Sequence, residues 1–162
     1  MKIETTDAIT LKVILEDDLA AIAQMNERLA RLQRPLENEQ QAAFVAFQLH
    51  NLYNALENAF SQISRAFGAN VRDESRWHQE LLGRMFLDLS PVRPAVLPPA
   101  AKPLLRDLCS FRHVFRHSYN YDLDVEKLTA LWLRWNEAGP QIITALRSFA
   151  DALGRQLTRE ES

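Results

Sequence analysis

Apolar residues recur at roughly helical spacing along almost the whole chain, a period that amphipathic α-helices satisfy and strands do not. From about residue 8 to 33 they are Ile9, Val13, Ile22, Met25, Leu29 and Leu32, with Thr6 or Asp7 placed to cap the start and Pro35 following the end. From about 37 to 67 they are Phe44, Phe47, Leu49, Leu52, Tyr53, Leu56, Phe60, Ile63 and Phe67. Gly68-Ala69-Asn70 reads as a stop, because Gly68 can take the left-handed conformation that a helix end often needs. Ser75 is placed to cap a third, shorter helix carrying Trp77, Leu81, Leu82, Met85 and Phe86. A fourth is expected from about 100 to 117, with Leu104, Leu105, Leu108, Phe111 and Phe115 facing inward. Asn120-Tyr121-Asp122 reads as a turn, and Asp122 or Asp124 as the cap of a last segment reaching about 156. Gly139-Pro140 is expected to kink or split that segment.

Between the third and fourth helices, Pro91, Pro94, Pro98 and Pro99 place four prolines in nine residues. That density excludes a helix and makes a stiff, extended connection. Only 4 glycines occur in 162 residues, too few for frequent tight β-turns. Such a length fits a single domain over residues 1–162 with a real core. The expected fold is all-α, an up-and-down antiparallel bundle of four to six helices joined mostly by short loops.

One cysteine, Cys109, excludes an intramolecular disulfide and any multi-cysteine zinc site. The start, Met1-Lys2-Ile3-Glu4-Thr5, has no apolar signal core, and no run approaches a membrane span, so a cytoplasmic protein with no membrane partner is expected. A net charge of −2 argues against indiscriminate coating of nucleic acid. Its distribution is uneven. Residues 1–60 hold 5 Lys/Arg against 9 Asp/Glu, residues 61–119 hold 9 against 5, and residues 120–162 hold 5 against 7. The basic excess lies where a polyanion could be recruited locally, although solvated arginines on helix faces produce the same count.

That segment ends in Arg112-His113-Val114-Phe115-Arg116-His117-Ser118-Tyr119, two arginines, two histidines and a tyrosine in eight residues. On an ideal helix Arg112 and Arg116 share a face, as do His113 and His117. A pair of guanidinium groups so placed suits a phosphate held between them. His117 titrates near neutral pH and can move a proton, and the end of a helix favours its charged form. Arg112 and His117 are separated by about 140° around an ideal helix, so an unwound last turn or a second subunit would have to bring them together. Cleaving RNA without a metal requires deprotonating the 2′-hydroxyl, stabilising the phosphorane and protonating the 5′-oxygen. Histidine suits the proton transfers and arginine the developing charge. Tyr119 could stack on a base or bond a phosphate. Each of these residues also has an ordinary role in capping, solvation or packing. A His113–His117 zinc site lacks a third ligand and the glutamate of a His-Glu-x-x-His motif, so no metal and no other cofactor is expected.

The spacing Arg-x4-His-x-Tyr, with its flanks from Leu108 to Asp124, resembles the signature of HEPN-domain ribonuclease toxins of the HepT type. Asn51 to Asn58, Trp77 to Leu82, the proline-rich loop and the helix order are similar as well. The resemblance implies a helical homodimer with two motifs in one cleft, acting as a metal-independent endoribonuclease on tRNA or mRNA. It implies Arg112 and His117 as the catalytic pair, with Arg116, His113 and Tyr119 binding or supporting substrate. It further implies that Tyr119 receives AMP from a partner nucleotidyltransferase of the MNT type, whose added charge and bulk would repel RNA. Glu57 is a candidate to orient Arg112, or else an ordinary helix charge, while Trp77 reads as core and His78 as a candidate lining of the cleft.

Two other readings compete with a toxin nuclease. One is a non-catalytic HEPN module that binds nucleotide or substrate for a nucleotidyltransferase; it would not need His117 beside Tyr119. The other is a structural helical dimer without a ligand, which leaves the charge density of residues 112–117 unexplained.

Overall fold

A computed structural model describes residues 1–68, 77–117 and 123–160, with the side chains of His117 and of residues 156–160 outside the description. Among the described residues five α-helices form: α1 (Thr5–Ala30), α2 (Glu39–Ala66), α3 (Trp77–Arg84), α4 (Lys102–His117) and α5 (Val125–Glu160). A single 3-10 turn, Pro99–Ala101, leads into α4. No strand is present among the described residues, where Leu89 and Arg93 make one isolated bridge. None of the described helices is long and apolar enough to cross a membrane.

Side-chain pairs fix the relative directions. Trp132 Nε1 donates to the Leu29 carbonyl (3.1 Å), Trp135 Nε1 donates to Asn26 Oδ1 (3.0 Å), and Gly154 lies against Lys12, so α5 runs antiparallel to α1. Asn58 reaches back to Asp18, while Gln62 and Arg65 share a shallow pocket with Thr10 and Ile14, so α2 is antiparallel to α1. Pairing of Asn54 with Arg112 and of His50 with Phe115 gives α4 the same relation to α2. The up-and-down bundle read from the sequence is the fold.

Inside, α1 does not present the stripe that its β-branched residues suggest. Ala8, Leu11, Leu15, Leu19, Ile22 and Leu29 are buried, whereas Ile9 and Val13 are about half exposed. The longer leucine series, at spacings of three and four, sets the phase of the helix and turns Ile9 and Val13 outward. On α2, Val45, Leu49, Leu52, Tyr53, Leu56, Phe60 and Ile63 are buried, and the expected inward positions Phe44 and Phe47 are exposed. Phe111 and Phe115 on α4 are only partly buried.

Several ends also differ from expectation. The residue before α1 is Glu4, which makes no capping bond, so neither Thr6 nor Asp7 is the cap. Asn38 caps α2 by accepting from the Gln41 N–H (2.9 Å), and Gly68 adopts a left-handed φ of 71° after its end. Asp124 accepts from the Lys127 N–H at 3.0 Å and starts α5. Ser75, Ala69, Asn70 and the turn Asn120-Tyr121-Asp122 lie outside the described residues. The proline-rich loop is anchored by Arg93, itself 3% exposed, which donates to the carbonyls of Arg84, Leu87 and Pro94. One guanidinium thereby ties the backbone that follows α3 to the proline-rich loop.

Helix α5 is not split at Gly139-Pro140 and continues through Pro140. Gly139 is there because Trp135 occupies the space beside it. A Cβ at position 139 would fall 2.5 Å from Trp135 Cε2, and that indole is fully buried. Replacing Gly139 with Ala should therefore destabilise the fold by about 1–3 kcal/mol, against the gain of roughly 0.5–1 kcal/mol that an unhindered helical Gly→Ala brings. Urea denaturation checks the sign.

Candidate active site

Helix α2 carries a partly buried polar stripe among its apolar residues. His50, Asn54 and Glu57 follow one another at four and three positions, so they share a face, and that face meets α4. Across from it stands Arg112, on the side of α4 that Leu105 and Leu108 bury. Helix α3 contributes His78 from its first turn.

Arg112 is 8% exposed and all three of its nitrogens face protein groups. Nε donates to Asn54 Oδ1 at 2.6 Å, and one terminal nitrogen donates to Glu57 Oε1 at 3.0 Å. The other lies 3.3–3.4 Å from the two ring nitrogens of His78, against the edge of the imidazole. Glu57, 6% exposed, gives its second oxygen to His78 Nδ1 at 2.6 Å. A carboxylate only accepts, so Nδ1 of His78 carries the proton. A guanidinium has five N–H groups, and contacts at three nitrogens leave terminal N–H groups to spare for a ligand oxygen.

The network extends to His50. Because Asn54 Oδ1 accepts from Arg112, its amide nitrogen faces His50 and donates to Nε2 at 3.0 Å. That places the His50 proton on Nδ1, which is buried and has no hydrogen-bond partner among the described residues. Burial first, then the positive charges of Arg112 and Arg116, hold His50 below the ordinary histidine range. The ring packs on Phe115 with centroids 5.1 Å apart, and Phe115 in turn stacks on Phe111.

Other motif residues are placed differently. His113 and Arg116 are exposed on the outer side of α4. Arg112 and Arg116, expected to share an anion-binding face, are thus unequal in burial: Arg112 is turned inward by Glu57 and Asn54, and Arg116 is left near solvent. His117 is the last residue of α4, with its side chain outside the description, and Tyr119 lies outside the described residues. Sequence reasoning took Glu57 and His78 as candidates and missed His50 and Asn54. The available signal was the polar series 50, 54, 57 running through the core-facing phase of α2. No group of three or more His, Cys, Asp or Glu side chains among the described residues could hold a metal ion. A larger groove of about 420 Å³ lies on the other flank of α4, against α5, and contains no side chain of this network.

The class defined by this architecture is an antiparallel helical bundle with a buried arginine–carboxylate pair under a basic helix end. The chain belongs to the HepT-like family: the model described as HepT-like protein matches residues 44–153, which include every member of the network. No curated protein and no solved structure matches it.

Two outcomes follow from the network. Replacing Glu57 with Ala strands a buried guanidinium and should cost about 3–5 kcal/mol in denaturant unfolding, whereas replacing Asn54 with Ala should cost only about 1–3 kcal/mol. His50, with a folded pKa below its ordinary 6.5, binds fewer protons in the folded state than in the unfolded one. Stability should then fall as pH drops through and below about 6.5, and His50→Phe should flatten that slope in denaturation series between pH 7.5 and 5.

Proposed function

We propose that this protein is a metal-independent endoribonuclease toxin that cleaves tRNA or mRNA as a homodimer and is silenced by AMP addition at Tyr119. The carrying observation is Arg112: a guanidinium fixed from behind by Glu57 and Asn54, retaining N–H groups to offer, and adjoining the basic end of α4. A donor locked before the reaction needs no reorganisation as charge develops on the phosphorane, which is where such donors act most strongly. A buried ion pair adds little net stability over a well-packed apolar pair, so the arrangement is better accounted for by what it positions.

In this reading His117 moves the protons. As base it takes the 2′-hydroxyl proton while that oxygen attacks phosphorus; as acid, the same residue or its copy in the second subunit protonates the departing 5′-oxygen. The products are a 2′,3′-cyclic phosphate and a free 5′-hydroxyl, with no atom left over. Arg116 and His113 hold flanking phosphate, and Tyr119 supports the substrate until it is modified. Exposed Phe44 and Phe47 lie on α2 within two turns of His50, an apolar rim consistent with a second copy closing over the site. An adenylate on Tyr119 would bring negative charge beside the arginines and repel RNA, giving an MNT-type nucleotidyltransferase a direct means of control.

The test is cleavage of total tRNA and of a defined mRNA by unmodified protein in EDTA. Wild type should cut, and Arg112→Ala and His117→Ala should each lose at least about 100-fold in rate. No cutting by folded wild type whose mass shows no adduct, with nucleotidyltransferase binding intact, would instead favour the non-catalytic module.

A further inference from the structure

A second basic site sits farther back on α4. Between α3 and α4 lies a pocket of about 210 Å³ whose walls include Gln79, Gly83, Lys102, Arg106 and Ser110. Among the described residues no carboxylate lines it. The acids closest in sequence are engaged elsewhere, Glu80 with Arg84 and Asp107 with Arg134. Lys102 is half-buried with its ammonium 5.6 Å over the Phe86 ring, which positions it without neutralising it. Arg106 makes no ion pair among the described residues. Two cations, a side-chain amide and a hydroxyl around a cavity with no acid among the described residues are the donors an oxyanion requires.

The pocket is also aligned with the motif. Arg106, Ser110 and His113 fall at four and three positions along α4 and share one face. Arg106 lies about 9 Å along the helix axis from Arg112. A strand cleaved at the motif could therefore lay a neighbouring phosphate on Lys102 and Arg106.

We propose that the α3–α4 pocket is a phosphate subsite for single-stranded RNA, gripping the backbone beside the scissile nucleotide. The proposal rests on the nuclease reading for its place in the reaction, but its binding claim stands apart from cleavage. Gly83 offers a probe that leaves both cations in place: a Cβ there meets no atom within 4 Å, so a side chain can enter without a clash.

The experiment measures binding of a fluorescein-labelled 20-nucleotide oligouridine to the full chain carrying His117→Ala, over a series of salt concentrations. Lys102→Gln with Arg106→Gln should weaken binding about tenfold and reduce the slope of log affinity against log salt by about 0.7, the value for one single-strand phosphate contact. Gly83→Glu should weaken binding comparably, and Gly83→Ala should not. Unchanged affinity and slope in the double variant would overturn the proposal, as would Gly83→Glu behaving like Gly83→Ala. So would loss of nucleotidyltransferase binding with RNA binding intact, since the pocket would then serve an acidic protein surface. Failure of the nuclease reading looks different: RNA is bound through the pocket, and the chain without the His117 change does not cut it.

Discussion

The buried pair between Glu57 and Arg112 is the constraint around which α2, α3 and α4 are arranged. Two charges removed from water are tolerable only with opposite charge and further hydrogen bonds around them. Asn54 and His78 supply those bonds, one from α2 and one from α3. Changing the register of α4 against α2 by one residue would rotate Arg112 away from Glu57 and leave the carboxylate buried without its cation. Apolar contacts alone tolerate such slippage better, since leucines on neighbouring positions substitute for one another. The ion pair thus fixes what the leucines only bring close.

Its consequence for chemistry is an arginine whose position is set before any substrate arrives. The side chain is held at Nε and at one terminal nitrogen by groups that accept only in those directions. Burial, and then the positive charges of Arg112 and Arg116, lower the pKa of His50, which adjoins the pair through Asn54. Along α4, Arg112 is buried whereas Arg116, one turn on, is exposed.

Much of this was legible in the sequence, and the failures have definite causes. Helix periodicity, the proline-rich break and the left-handed Gly68 are local properties, and the structure shows all three. The phase of α1 was misread because Ile9 and Val13 are as apolar as Leu11 and Leu15, and only packing against α2 and α5 decides between the two stripes. Gly139-Pro140 suggested a break, but the demand there is steric and comes from Trp135, one turn away. Glu57 could be paired with Arg112 through the family resemblance. Asn54 and His50 carry a signal only as a series with Glu57, because an asparagine turned inward and an exposed one look alike until the helix face is known. The unequal burial of Arg112 and Arg116 was not legible, because it is set by Glu57, which draws Arg112 toward the core, and not by spacing along the helix.

In the proposed reaction the buried Arg112 guanidinium touches the RNA phosphate. The most direct measurement is arginine side-chain NMR of the folded protein titrated with an uncleavable 2′-O-methyl oligonucleotide. The Arg112 Nε–H should remain in slow exchange with water and barely move, because Asn54 holds it, while the Arg112 terminal N–H signals shift with bound phosphate. Shifts confined to Arg116, with every Arg112 resonance unmoved at saturation, would contradict the account and make Arg112 a purely structural charge.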